Sequence, residues 1–393
     1  CPVGMVGTQD TGGMSVCIRE LAGELGKQGH TVDIYTRTHD PAHGQVMELA
    51  GNVRLIHLKA GDNEYVNKLA VYLHLPDFAC ALEGFRNSQN MDYDLVFSHY
   101  WLSGWVGNLL QGWWRIPHII TFHTLGAVKN AVGIGEDEPE LRIETERYLI
   151  KSCNRIFTAT ERGREDIIRH YGSTGGNIRV VPCGVNLEMF SPENKKAEKQ
   201  PSRLPERKKI LFVGRIEPLK GIDNLLKAAS ILKKRHDIEV IIIGGDGNSQ
   251  YMQYLQGLSG DLNITDSIRF LGLVGHEELP GYYNAADVCV VPSYYESFGL
   301  VTLESLACGT PVVATDVGSA GSVIHPGING YRLEDNSPQR LADNIDKILS
   351  VKRTDKDRIS IRETVAGNGW ANMAGAIDRE CREVIKEYSG SRV

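Results

Sequence analysis

Short apolar runs alternate with longer amphipathic segments along this chain, in two separate blocks. The runs have the length of buried strands, and the segments between them carry apolar residues at helical spacing. Repeated strand–helix–strand units predict a parallel sheet wrapped by helices, so the sequence predicts an α/β protein with two such sheets. Strands are predicted at residues 32–36, 53–58, 94–100, 117–124, 155–160, 179–181, 210–213, 239–243, 268–271, 287–293 and 312–315. Helices are predicted at residues 14–28, 68–85, 101–112, 140–152, 163–170, 222–235, 251–259 and 276–283.

The length of 393 residues exceeds that of one typical domain, which agrees with two sheets. Residues 194–209 are rich in Lys, Glu and Pro and are predicted to link a domain at 1–190 to a domain at 205–360. The tail has Trp370, Met373, Ile377 and Val384 at near-helical spacing, so a helix at 365–393 is expected to pack back on the first domain. Because the chain opens on a loop rather than a strand, we expect it to be trimmed at its start.

Composition excludes several classes of function. The net charge of −6 and the pI near 6.1 argue against binding of nucleic acid or of an anionic membrane surface. No apolar run approaches the ~20 residues of a membrane span. The eight cysteines are scattered singly, without a Cys-x-x-Cys pair or a zinc spacing, which predicts a reduced, cytoplasmic protein without a metal site.

The stretch Glu296-Ser-Phe-Gly-Leu-Val-Thr-Leu-Glu304 follows one of the predicted buried strands. It therefore lies at the carboxyl edge of the sheet, where open α/β sheets bind ligands. A helix is expected to begin near Gly299, so Phe298, Gly299 and Leu300 offer free N–H groups to an anion. Two carboxylates eight residues apart could be two solvated side chains. In this context we expect one to hold sugar hydroxyls and the other a ribose diol.

Two cations share a loop after the first strand of the second block. Arg215 offers a bidentate fork for phosphate and Lys220 a mobile point charge. The alternative is a pair of exposed basic residues, which are common. Together with Glu296 and Glu304 at the same edge, these cations predict a nucleoside-diphosphate pocket. A dinucleotide dehydrogenase is disfavoured because Gly244-Gly-Asp-Gly247 does not have the Gly-x-Gly-x-x-Gly spacing.

The first block offers a second group of polar residues. Its strands at 94–100 and 117–124 each deliver a His and a hydroxyl group at the carboxyl edge, which describes the wall of a cleft. One such histidine would suit a core position, but the pair favours a site. Gly12 and Gly13 precede the first helix, where glycine lets backbone approach a ligand. By themselves they are more typical of a plain turn.

The sequence resembles the family-four retaining glycosyltransferases of the GT-B fold. The residues that carry the resemblance are 214–221, the Glu-x7-Glu stretch and Ala307-Cys-Gly-Thr-Pro-Val-Val-Ala314. Ser98-His-Tyr-Trp-Leu-Ser-Gly104 and Thr121-Phe-His-Thr-Leu-Gly-Ala-Val-Lys-Asn130 resemble a narrower branch. That branch holds the D-inositol-3-phosphate N-acetylglucosaminyltransferase of mycothiol synthesis, with sucrose synthases and sucrose-phosphate synthases as relatives.

The resemblance implies two Rossmann-like domains facing each other across a cleft, with a UDP-linked sugar bound by the second. It implies that Arg215 and Lys220 hold the diphosphate, Glu304 the ribose and Glu296 the sugar hydroxyls. His123 would contact the sugar near the reacting carbon, and Gly13 would approach the donor phosphate. Residues matching Tyr100, Thr124 and Arg142 contact the acceptor phosphate in the enzymes that use one.

Two positions depart from the inositol-phosphate enzymes. Those enzymes carry Asn where this chain has Ser15. They also use a Lys before the third helix, for which Lys68 is the candidate at a longer spacing to Pro76. Both positions belong to the expected acceptor site, so the sequence does not determine which polyol or sugar ring the acceptor carries.

The expected activity is transfer of glucose or N-acetylglucosamine from a UDP-sugar to a hydroxyl of a small polyol or sugar, with retention of configuration. A phosphorylated acceptor is favoured. The alternatives are a glucosyltransferase like the sucrose synthases or sucrose-phosphate synthases, and a non-catalytic nucleotide-sugar binding protein. No cofactor is expected to be required, Mg²⁺ being compatible but not essential, and dimeric relatives suggest a homodimer.

Overall fold

The computed structural model describes residues 12–38, 44–61, 68–192, 207–245 and 249–390, with the side chain of Lys68 left out. The first half of the chain builds two sheets. In one, β1 pairs in parallel with β3 and β3 pairs antiparallel with β2. In the other, β4, β5, β6 and β7 follow in order and are all parallel. The strands are β1 Val32–Arg37, β2 Val46–Ala50, β3 Val53–Leu58, β4 Val96–His99, β5 His118–Thr121, β6 Arg155–Thr158 and β7 Ile178–Val180.

The second half builds one six-stranded parallel sheet in the order β10-β9-β8-β11-β12-β13. Its central strands are continuous Val/Ile runs because helices cover both faces of the sheet. The order reverses between β8 and β11, and such a switch point opens a crevice at the carboxyl edge. The strands are β8 Lys208–Val213, β9 Ile238–Ile243, β10 Ile268–Gly272, β11 Val288–Val291, β12 Val312–Thr315 and β13 Gly330–Leu333.

Helices surround these sheets. In the first half they are α1 Gly13–Lys27, α2 Lys68–Leu73, α3 Leu75–Ser88, α4 Trp101–Trp114, α5 Gly126–Val132, α6 Glu140–Ser152 and α7 Glu161–Tyr171. In the remainder they are α8 Ile222–Leu232, α9 Gln250–Asp261, α10 Leu279–Ala285, α11 Leu300–Ala307, α12 Ala320–Val323, α13 Pro338–Leu349, α14 Asp355–Glu363 and α15 Trp370–Gly390. Within the described ranges, no helix is long and apolar enough to cross a membrane.

The last helix returns to the first half. Trp370, Met373, Ile377 and Val384 are all buried. Asp378 of α15 pairs with His30 just after α1, at 2.8 Å between Oδ1 and Nε2. One apolar cluster runs from α1 and β5 to β8, β11 and α15, so the two halves share part of their core. The exact domain boundaries stay a prediction, since residues 193–206 lie outside the described ranges.

The structure differs from the predicted elements in several places. Strand β13 and helices α5, α12, α13 and α14 were not predicted. The segment predicted as one helix at 68–85 is two helices, which break at His74 because Pro76 lacks the N–H that a continuous helix would need. Strand β2 was not predicted, since it is an edge strand with alternating exposure and no apolar run. The predicted linker at 194–209 extends too far, because Lys208 and Lys209 belong to β8.

Candidate active site

The loop between β11 and α11 places Glu296 at the switch point of the second sheet. Helix α11 begins at Leu300, and the residue before it, Gly299, has φ +72°. A side chain there would meet Ser319 Oγ at 2.6 Å, so glycine is required twice, for its φ and for space. Gly318 in turn packs its backbone against Glu296. The neighbouring loops therefore hold the Glu296 loop tightly.

Glu296 and Lys220, predicted separately from the sequence, form one ion pair. Lys220 Nζ donates to Glu296 Oε1 at 2.5 Å, and Ser293 Oγ donates to the same oxygen at 2.8 Å. The two charged side chains are only 14% and 18% exposed. Ser293 is buried and was missed by sequence analysis, although its hydroxyl follows β11 three residues before Glu296. The pair places one positive and one negative group at the switch point.

Arg215 lies in the same loop as Lys220 but is held more loosely. Its Nη2 atom lies 2.9 Å from Glu217 Oε1, and its side chain is 44% exposed. A guanidinium that is this exposed can move toward an anion at little cost. The structure thus places both predicted cations in one loop, with Lys220 fixed and Arg215 free to reorient.

Glu304 on α11 is buried, and protein donors hold both of its oxygens. His276 Nε2 lies 2.8 Å from Oε1, and Tyr283 donates its hydroxyl to Oε2 at 2.9 Å. Burial opposes the charged imidazole, but the hydrogen bond and charge of Glu304 outweigh it and raise the pKa of His276. Neither partner was singled out from the sequence. The predicted contact of Glu304 with a ribose stays a prediction.

His123 lies where the two halves meet. Its φ of +59° ends the extended backbone after β5, which is why this strand stops before its predicted end. Its ring stacks on Phe298 of the second half, with centroids 4.9 Å apart. Its Nε2 lies 2.8 Å from His99 Nδ1. Burial lowers the pKa of His99 to about 4, and burial together with His99 lowers the pKa of His123 well below its usual value, so both imidazoles are neutral at pH 7.

The helix that begins at Gly13 approaches the helix that begins at Leu300. A side chain at Gly13 would meet Leu300 Cδ1 at 3.0 Å, so only glycine allows this approach without displacement. Two helix N-termini then face one another across the cleft, and both carry a partial positive charge. Ser15, another predicted site residue, is buried in the first turn of the same helix.

Three of the predicted acceptor residues form one cluster beside His123. Arg142 Nη2 donates to the carbonyl oxygen and to Oγ1 of Thr124, both at 2.9 Å. The guanidinium carbon also lies 4.9 Å from the centroid of the Tyr100 ring. Arg142 is 2% exposed, and the carboxylates of Glu138 and Glu146 lie 2.8 Å from its guanidinium nitrogens. Lys68 begins α2, and its side chain lies outside the described part of the structure.

A cavity of about 200 Å³ lies between the halves. His123 and Thr124 line it from the first half, and Glu296 and Phe298 from the second. Tyr295 closes one side, since its hydroxyl accepts a hydrogen bond from the backbone N–H of Leu125 at 3.2 Å. The carboxylate, the histidine and Thr124 at the edge of the arginine cluster therefore line one shared cavity.

Comparison with known proteins now identifies the family. Residues 11–189 match the model described as Glycosyltransferase Family 4, and residues 194–364 match Glycosyl transferases group 1. The D-inositol 3-phosphate glycosyltransferase of Corynebacterium jeikeium is 38% identical over 359 residues, which are 88% of this chain and 86% of the relative. The chain belongs to glycosyltransferase family 4. The family predicted from the motifs is thereby confirmed.

Solved structures of glycosyltransferases confirm the predicted GT-B fold. Sucrose-phosphate synthase from Thermosynechococcus elongatus has a TM-score of 0.88 at 32% identity, covering 98% of this chain and 97% of its own. Anabaena HepE, solved in complex with UDP and glucose, has a TM-score of 0.75 at 17% identity and covers 97% of this chain and 98% of its own. The second likeness supports the fold alone. Two Rossmann-like domains facing across a cleft are the shared architecture.

Proposed function

We propose that this glycosyltransferase moves glucose or N-acetylglucosamine from a UDP-sugar to a hydroxyl of a small phosphorylated polyol or sugar, with retention of the α configuration. The observation that carries the proposal is the cavity that Glu296, His123 and Thr124 border together. It adjoins cations on the donor side and an arginine on the acceptor side. Such a cavity suits two substrates that meet at one carbon atom.

The donor side suits a nucleoside diphosphate. Lys220 and Arg215 supply positive charge, and the N-termini of α1 and α11 supply free N–H groups nearby. A bound diphosphate would draw Lys220 from Glu296, since it carries more negative charge than one carboxylate. Glu296 would then be free to accept hydrogen bonds from hydroxyls of the sugar.

In the proposed reaction, the acceptor oxygen bonds to the anomeric carbon on the face from which the diphosphate leaves. The bond between that carbon and the diphosphate oxygen breaks, and the acceptor's proton passes to the departing oxygen. Lys220, Arg215 and the helix N-termini stabilise the charge that develops there, which is electrostatic preorganisation and needs no metal in principle. Neutral His123 can hydrogen-bond a sugar hydroxyl without adding a charge. Contact between the halves keeps water from the donor.

The acceptor side suits a phosphate. The Arg142 guanidinium, the Thr124 hydroxyl and the Tyr100 ring lie together, and a curated relative at 38% identity is named for D-inositol 3-phosphate. A glucosyltransferase like sucrose-phosphate synthase is the second candidate, favoured by the TM-score of 0.88 over nearly the whole chain. A non-catalytic binding protein would have no reason to keep Glu296 and His123 around one cavity, with Lys220 paired to Glu296. A cytoplasmic location and a homodimer stay predictions.

Turnover of defined substrates tests the proposal. The protein is incubated with UDP-glucose or UDP-N-acetylglucosamine and one acceptor at a time: inositol phosphate, fructose 6-phosphate, fructose or inositol. UDP release and product mass are recorded. We expect release with a phosphorylated acceptor only, and its loss in Thr124→Val and Arg142→Lys variants that keep the wild-type melting temperature.

Equal rates with unphosphorylated acceptors would contradict the phosphate preference. If UDP binds but neither UDP-sugar releases UDP with any acceptor, a different nucleotide sugar would be the next donor to test. A non-catalytic nucleotide-sugar binding protein would be the remaining alternative.

A further inference from the structure

The carboxylate of Glu138 lies between two cations of the acceptor wall. Its Oε2 atom lies 2.8 Å from Arg142 Nη1, and its Oε1 atom accepts a hydrogen bond from Lys129 Nζ. Lys129 is on α5, Arg142 is on α6, and Glu138 is in the loop between these helices. An oxyanion bridging a guanidinium and an ammonium group is also the arrangement in which proteins hold phosphate. Glu138 therefore occupies a position that suits an anionic ligand.

Arg142 does not need Glu138 as its counter-ion, because Glu146 already serves as one. Glu146 Oε1 accepts from Arg142 Nε at 2.8 Å, while its Oε2 accepts from Gly126 N at 2.9 Å and from the Tyr171 hydroxyl. This fully buried carboxylate compensates the burial of the guanidinium. Glu138 is thus a second carboxylate, and with it the cluster of Lys129, Arg142, Glu138 and Glu146 has no net charge.

Glu138 is ionised when it fills this position. Burial disfavours its charged form, but the charges of Arg142 and Lys129 and their hydrogen bonds outweigh burial and lower its pKa. Withdrawing the carboxylate would leave the cluster with one net positive charge beside Thr124, which lines the cavity. An anionic acceptor would then meet two cations and one buried counter-ion.

The Glu138 side chain can leave without unfolding its loop. The Asn130 side chain fixes the Glu138 backbone on both sides: the Glu138 N–H donates to Asn130 Oδ1 at 2.7 Å, and Asn130 Nδ2 donates to the Glu138 carbonyl at 3.0 Å. The Glu138 side chain is 17% exposed, so solvent already reaches it. Rotation of this side chain into water breaks none of these backbone hydrogen bonds.

We propose that the Glu138 carboxylate competes with the acceptor's anionic group for one position. It occupies the site between Lys129 and Arg142 until the phosphate of an acceptor displaces it. This inference rests on the proposed function, because it assumes that the acceptor binds beside Thr124. A phosphate dianion interacts with two cations more strongly than a single carboxylate does. A neutral polyol has no charge with which to displace Glu138. Glu138 thereby selects acceptors by charge.

Binding of inorganic phosphate to the full chain tests the inference without any donor. We expect the Glu138→Gln variant, which keeps the shape and removes the charge, to bind phosphate about tenfold more tightly than the wild type in calorimetry. Glu136→Gln is the matched control, because it removes one charge from the same loop at an exposed position. Phosphate held at another site contributes equally to all three proteins. Equal binding by wild type and Glu138→Gln, or the same gain in Glu136→Gln, would overturn the inference.

Kinetics separate failure of this inference from failure of the proposed function. With a phosphorylated acceptor, Glu138→Gln is expected to lower the acceptor KM about fivefold to tenfold and to leave the donor KM unchanged. Transfer by the wild type with no change of acceptor KM in the variant would overturn the role of Glu138 alone. Absence of transfer with every donor would overturn the proposed function, while the phosphate measurement would still decide whether Glu138 competes with an anion.

Discussion

His99 Nδ1 and His123 Nε2 lie 2.8 Å apart at the carboxyl ends of two neighbouring strands. Since burial holds both imidazoles neutral at pH 7, one nitrogen donates the proton and the other accepts it. The direction of this hydrogen bond decides whether the one N–H of neutral His123 is on Nε2 or on Nδ1. His123 Nδ1, at the other side of the ring, is buried and has no hydrogen-bond partner among the described residues. It is the ring nitrogen of His123 that the pair with His99 leaves unused.

We expect His99 to act on transfer through the orientation of His123. His99→Ala should lower kcat/KM about tenfold or more, because His123 Nε2 loses its partner and the ring loses its fixed tautomer. His99→Asn should keep most of the activity, since the asparagine amide can take the place of Nδ1. Steady-state rates of UDP release measure both variants. Equal losses in the two would indicate that His99 only fills space.

Stability should fall in mild acid because of histidines that are buried without charge. His118 is fully buried, its Nε2 lies 2.6 Å from Ser98 Oγ, and burial lowers its pKa to about 3. An unfolded histidine titrates near pH 6.5, so between pH 6.5 and about 3 the unfolded state binds the proton that the folded state excludes. Each such histidine should cost about 1.4 kcal/mol of unfolding free energy per pH unit in that window as the pH falls.

Urea unfolding of the wild type and of His118→Gln between pH 7 and pH 4.5 measures this effect. The variant removes one titrating group, so the pH dependence of its unfolding free energy should be shallower by about one proton. Glutamine keeps a hydrogen-bonding group near Ser98, although some loss of stability at every pH is expected. Parallel pH curves for the two proteins would show that His118 is protonated in the folded state.

The ion pair of Lys220 with Glu296 leads to opposite expectations for binding and for chemistry. Glu296→Gln frees Lys220 for the diphosphate, so UDP should bind at least as tightly as it does to the wild type. Transfer should nevertheless fall on the order of 10²-fold, because the carboxylate that is proposed to bind the sugar hydroxyls has lost its charge. Lys220→Met should weaken UDP binding and lower transfer by a similar factor.

Calorimetry with UDP and steady-state kinetics together test this pair of variants. Ser293→Ala is the matched control, because it removes the other donor to the same Glu296 oxygen without changing any charge. Its effect should stay within a few-fold on both quantities. Weaker UDP binding by Glu296→Gln would show that Glu296 supports the diphosphate site rather than opposing it.

How much could be predicted from the sequence depends on how local the signal is. Lys220 and Glu296 follow strands β8 and β11, which pair directly, so two loop motifs at the ends of parallel strands were enough to bring them together. Glu146 lies four residues after Arg142 on one helix, and helical spacing could have revealed it. Glu138 is also four residues from Arg142, but it lies before the first residue of α6, so helical spacing alone does not predict their contact. The same holds for Tyr295, whose partner belongs to the other half of the chain.

We expect the hydrogen bond of Tyr295 across the cleft to limit the access of water to the donor. Its hydroxyl accepts the hydrogen bond of the Leu125 N–H across the cleft and also receives one from Ser297 Oγ at 3.3 Å. Tyr295→Phe leaves the Leu125 N–H without its partner and weakens the contact between the halves. Hydrolysis of the donor should then rise several-fold relative to transfer, because a looser cleft admits water to the reacting carbon.

Tyr294→Phe is the control for that experiment, since the neighbouring tyrosine makes a similar bond within one half. Its hydroxyl accepts from Asn224 Nδ2 at 3.0 Å, and both residues belong to the second half. Removing it should affect stability but leave the ratio of hydrolysis to transfer at the wild-type value. Free sugar and glycosylated product are measured from the same reaction. If both variants raise the ratio of hydrolysis to transfer equally, the added hydrolysis comes from general loosening of the second half. The hydrogen bond across the cleft would then not be its cause.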